Sequence, residues 1–69
     1  MSIKPEFDAD LELEEIHENR ASGKVYSDKK RRFPNGYRIT TSPVINIDTY
    51  LADGYIQTVN SVYRIVVWG

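Results

Sequence analysis

The sequence predicts an α+β domain: an N-terminal helix set on an antiparallel meander of about five short strands. Three observations lead there. Gly54–Trp68, GYIQTVNSVYRIVVW, is the longest run rich in β-branched and aromatic residues. A polar break at Asn60-Ser61 divides it into two strands of hairpin length. Residues 8–21 are instead rich in Leu and Glu, both good helix formers.

Taken in order, Met1–Phe7 is expected to be flexible, and Pro5 disfavours helix at Lys4. The acidic helix is expected over 8–21, capped by Asp8 or Asp10. Leu13 and Ile16 lie three apart on one face, and Ser22-Gly23 stops the helix. A competing strand reading, with Leu11 and Leu13 alternating with glutamate, is set aside because glutamate is depleted in strands. The β-rich core then runs over 23–69. Lys24–Ser27 is its first short strand, and Asp28–Arg32 is a solvated loop. Pro34-Asn35-Gly36 is the clearest turn, since proline fixes φ and Asn-Gly tolerates positive φ. Tyr37–Thr41 and Val44–Ile47 are further strands separated by Ser42-Pro43. Thr49–Asp53 is a connection with Tyr50 and Leu51 buried, and Asp53-Gly54 turns into the final hairpin. The last strand reads apolar on both faces, so it is expected to be central with something packed on each side. Whether the meander stays a small open sheet or closes into an SH3-like barrel is left open.

Sixty-nine residues make one small domain, 1–69. A chain of this size buries roughly 60% of the surface its unfolded form exposes, so binding or dimerisation is the remaining route to more burial. With no cysteine, neither a disulfide nor a thiolate zinc site is possible. No apolar run approaches the roughly 18 residues of a membrane span, so a soluble, cytoplasmic protein with no membrane partner is expected.

The net charge of −1 hides a strong asymmetry. Residues 1–22 carry net −5, residues 23–38 carry net +5, and the rest carries −1. The two blocks either neutralise each other within the chain or mark interaction surfaces. The basic block places Lys29, Lys30, Arg31, Arg32 and Arg38 among Phe33 and Tyr37. Cations that meet phosphate beside aromatics that stack bases are how small β domains hold single-stranded nucleic acid. The acidic block offers Leu11 as an apolar anchor, with Glu14, Glu15 and Glu18 to meet a basic protein surface. His17 lies near Glu14 and Glu18, but a single imidazole without a second strong ligand is an exposed histidine, not a metal site. No nucleophile–base arrangement or phosphate-binding glycine loop is present, so no enzyme activity, cofactor or metal is expected.

The stretches GYRITTSPVINI and TVNSVYRIV resemble small phage- or prophage-encoded β-rich proteins of unassigned function. Gly36, Thr41, Ser42, Pro43, Val44, Asn60, Ser61 and Tyr63 carry the likeness. The resemblance covers about half the chain and implies a small accessory protein that acts by binding. The expected function is therefore a non-enzymatic interaction protein whose partner is another protein or a second copy. The alternative is a nucleic-acid-binding β domain using Lys24–Arg38.

Overall fold

The computed structural model describes residues 6–67, and the expectations for Met1–Pro5 and for Trp68 lie outside them. Strand β1 spans Ala9–His17, β2 Arg20–Tyr26, β3 Tyr37–Pro43, β4 Tyr55–Gln57 and β5 Val62–Val66. The one helix among the described residues, α1, is a single turn at Tyr50–Asp53. Both the N-terminal helix and the purely antiparallel meander are thus overturned. The protein is a small β-rich domain built on one five-stranded mixed sheet of order β3-β2-β1-β5-β4.

The acidic stretch is a strand because its apolar spacing contains a β-bulge. Leu11 pairs with Val25 and Leu13 with Gly23, and then the register shifts so that Glu15 meets Ser22 and Ile16 meets Ala21. The extra residue, Glu14, returns Ile16 to the face already used by Ala9, Leu11 and Leu13. The three-residue step from Leu13 to Ile16 is this bulge, not a helical turn. Glu18 and Asn19 both have positive φ, as a tight two-residue hairpin turn requires. Burying Leu11 and Ala9 completely supplies the stabilisation that local propensity opposes.

β1, β2 and β3 form a meander, and β4 and β5 form the expected hairpin. β5 lies between β1 and β4, so its interior position is as expected. It runs parallel to β1, with Ala9 opposite Tyr63 and Leu11 opposite Ile65. Curling of the sheet explains this. After β3, Val44 bridges Thr58 in antiparallel sense, and the Ile45 amide donates to the Gln57 carbonyl at 2.6 Å. The chain leaving β3 thereby reaches the free edge of β4. Four successive reversals leave β5 pointing the same way as β1. Val44–Ile47 is this single bridge and not a strand.

The core lies on one face of the curled sheet. Ala9, Leu11, Ala21, Val25, Ile39, Val44, Ile56 and Tyr63 are buried together, with Leu13, Ile16, Phe33, Ile47, Tyr50 and Ile65 packed against them. The opposite face is not a second core. There Arg64 pairs with Asp10 at 2.8 Å, and Tyr55 is covered by Phe7, with ring centroids 6.2 Å apart. Phe7 also lies under Lys29 and Arg64, whose charged ends sit 4.1 and 4.6 Å from its ring centroid.

Asn46 closes the exposed edge of β4. Its Nδ2 donates to the Tyr55 carbonyl and to Asp53 Oδ2, and its Oδ1 accepts from the Gln57 amide. One side-chain amide thus stands in for a neighbouring strand. The bond from Asn46 Nδ2, and a second from Thr49 Oγ1, hold the Asp53 carboxyl below its usual pKa. Asn46→Ala is expected to cost about 1–3 kcal/mol in urea unfolding, because the Tyr55 and Gln57 backbone groups lose their partners.

Candidate functional site

The basic segment is a loop whose Lys29, Lys30, Arg31 and Arg32 are exposed, as expected, but it is held in order from within. Asp28 organises it. Its side chain is fully buried, and it accepts from the amides of Lys30 and Arg32 and from the Arg32 guanidinium at 3.1 Å. Burial alone would raise the Asp28 pKa. The hydrogen bond and charge of Arg32, with the two amides, outweigh that and hold it below the usual carboxylate value. Arg31 takes a positive φ inside this turn. Arg32 then reaches across to Ser61 Oγ at 2.7 Å and lies over the rings of Phe33 and Tyr63. Lys30 donates to the Asn60 carbonyl and sits 3.7 Å from Asp8. The DKKRR run therefore locks onto the β4–β5 turn at the polar break, Asn60-Ser61.

This accounts for most of the basic residues singled out in the sequence. Lys29 is on Phe7, Lys30 on Asp8, Arg32 on Asp28, and Arg38 on Glu14 at 3.0 Å. Among the described residues, Arg31 has no ion-pair or ring partner. The acidic and basic blocks meet within the chain, Asp8 with Lys30 and Glu14 with Arg38, while Asp10 pairs with Arg64 of β5. Phe33 and Tyr37 stack nearly parallel with centroids 5.6 Å apart, Tyr37 half-exposed and Phe33 against the core.

The other proposed surface is dispersed. Leu11 is completely buried and cannot serve as a surface anchor. Glu14 is engaged by Arg38, while Glu15 and Glu18 stand exposed at and near the β1–β2 turn. His17 is exposed and 3.9 Å from Glu18, and no group of metal-binding side chains forms among the described residues.

The structure presents a different surface that the residue patterns did not single out. Val44 and Thr58, the two residues of the bridge, are buried, whereas the residues that follow each of them are exposed. Ile45 is 65% exposed and Val59 79% exposed. Ile45 follows the bridge residue Val44, and Val59 follows its partner Thr58, in the turn that the Thr58 amide and Ser61 carbonyl close. Leu51 is 76% exposed on α1, which Asn46 ties to the same ladder through Asp53. Ile45 and Leu51 before β4 and Val59 after it are thus exposed aliphatic side chains at the two ends of that short strand, the aliphatic ridge. One sequence signal marks it: from Ile39 to Tyr63 there is no lysine or arginine, and the only charges are Asp48 and Asp53.

Comparison with family models, with curated protein sequences and with solved structures finds no match to this chain. No helix among the described residues is long and apolar enough to cross a membrane.

Proposed function

We propose that this chain is a non-enzymatic interaction domain that acts through protein–protein contacts made by the Ile45–Leu51–Val59 ridge. The observation that carries the reading is the exposure of three large aliphatic side chains in one region, in a domain too small to leave apolar surface uncovered without cost. Three such residues suit the apolar centre of an interface, with polar neighbours as its rim. The resemblance to small phage-encoded β proteins points the same way, toward an accessory protein that works by binding.

Nucleic-acid binding through the basic segment has less support. The stacked Phe33–Tyr37 pair favours it, but the cations around that pair are held by Asp28 and Glu14. Releasing them to meet phosphate would break contacts that order the loop.

The test is an amphipathic Leu/Gln peptide titrated into isotope-labelled protein while amide shifts are followed. Saturable shifts at Ile45, Leu51 and Val59 are expected. They should vanish in the double variant Ile45→Ser, Val59→Ser, which should unfold within about 0.5 kcal/mol of the parent because both positions are exposed. Shifts that are absent, or that survive the substitutions, would overturn the proposal.

A further inference from the structure

We infer that the Asn35-Gly36 peptide is a covalent modification site, at which the side-chain amide of Asn35 is lost as ammonia when the β2–β3 connection opens. The inference stands apart from the aliphatic ridge. Glycine after asparagine leaves the side-chain amide most open to attack by the next backbone nitrogen, because no side chain stands in the way. In the reaction the Gly36 nitrogen gives up its proton and forms a bond to Asn35 Cγ. The Cγ–Nδ2 bond breaks, and Nδ2 leaves with that proton as ammonia. Water then opens the ring so formed. Opening at Cγ leaves aspartate. Opening at the main-chain carbonyl leaves isoaspartate, whose backbone runs through Cγ and carries an extra carbon.

Two hydrogen bonds close this route in the folded chain. Asn35 Oδ1 accepts from the Ser27 amide at 2.7 Å, which fixes the side chain. The Gly36 amide donates to the Val25 carbonyl at 2.7 Å, so the attacking nitrogen is tied to β2 through the proton it must lose. The turn needs both members of the labile pair. Gly36 has a φ of 81°, where any side chain is strained, and Asn35 supplies the acceptor for Ser27, itself at a φ of 55°. Asn35 and Gly36 are both exposed, so solvent reaches the site and the two bonds are its guard. They lie at the β2–β3 connection and break while the rest of the sheet stays paired.

The test ages the intact chain at mildly alkaline pH, with and without guanidinium chloride, and follows each asparagine by mass spectrometry of its peptides. Unfolded, Asn35 is expected to convert faster than Asn19, Asn46 and Asn60, none of which precedes glycine. Folded, it is expected to convert roughly tenfold or more slowly, and by the same factor that slows hydrogen exchange at the Gly36 amide. Asp28→Ala, which releases the Lys30 and Arg32 amides in the same connection, is expected to raise both rates together. If Asn35 converts no faster than the other asparagines in the unfolded chain, the site is overturned. Equal rates with and without denaturant would overturn the guard. Conversion slowed by a factor unlike that of Gly36 exchange would mean that the reaction does not wait for this bond to open, and would overturn the route.

Discussion

Gly23→Ala is expected to abolish the folded state or leave it populated only in part. Gly23 is buried in β2 opposite Leu13, where the β1 backbone comes closest. A Cβ there would overlap the Glu12 carbonyl oxygen and sit 3.0 Å from its carbon and 3.2 Å from Leu11 Cδ1. The obstacle is backbone, which no rotamer change relieves. Two strands would have to separate, in the part of the sheet that holds both the bulge and the most buried leucine. Overpacking of this kind costs about 3 kcal/mol or more, a large share of what so small a domain has. Circular dichroism and urea unfolding measure it. A variant that unfolds within about 0.5 kcal/mol of the parent would mean that β1 and β2 do not pair in this register.

Asp28→Ala has the second-largest expected effect. It removes a buried carboxylate and leaves the Arg32 guanidinium and the Lys30 and Arg32 amides without their acceptor. Because Arg32 is partly exposed and keeps Ser61, the expected loss is about 2–3 kcal/mol, below that of a fully buried pair. The pH dependence has a definite sign. The folded-state pKa of Asp28 is lowered, so its stabilisation is complete above the unfolded carboxylate pKa and fades as pH falls through the folded value. The parent should therefore lose stability on acidification below the ordinary Asp range. The variant should lose less over that window. Parallel pH profiles in parent and variant would remove Asp28 from that role.

The C-terminal half of the fold was legible because local and tertiary signals agree there. The Asn60-Ser61 break does divide β4 from β5, and Pro34-Asn35-Gly36 does turn the chain, with Gly36 at positive φ and the Tyr37 amide bonded to the Pro34 carbonyl. In 8–21 the signals conflict. Glutamate favours helix, and the bulge at Glu14 gives Leu13 and Ile16 a helical spacing. What decides for the strand is non-local: Leu11 against Val25 and Ile65, and Asp10 against Arg64, 54 residues away. Parallel pairing of β1 and β5 has no sequence signature either, since it follows from curling of the whole sheet.

The surface was hidden for a related reason. Charge composition left open whether the acidic and basic blocks neutralise each other, as Arg38 with Glu14 and Lys30 with Asp8 do, or mark interaction surfaces. It drew attention to DKKRR because cations are conspicuous, although Asp28 turns that run into scaffold. Ile45 and Val59 lie in segments that read as ordinary strand, whereas the chain places them in the connections either side of β4, where both are exposed.

The central claim is that contacts are made at the aliphatic ridge while the basic segment serves the fold. Amide-shift maps of one labelled sample with two ligands test it most directly: a single-stranded oligonucleotide and the amphipathic Leu/Gln peptide, each at near-physiological salt. The account predicts shifts at Ile45, Leu51 and Val59 with the peptide, and no saturable shifts at Lys29, Lys30, Arg31, Arg32, Tyr37 or Arg38 with the oligonucleotide. Saturable oligonucleotide shifts over the basic segment, with the ridge silent toward the peptide, would contradict it.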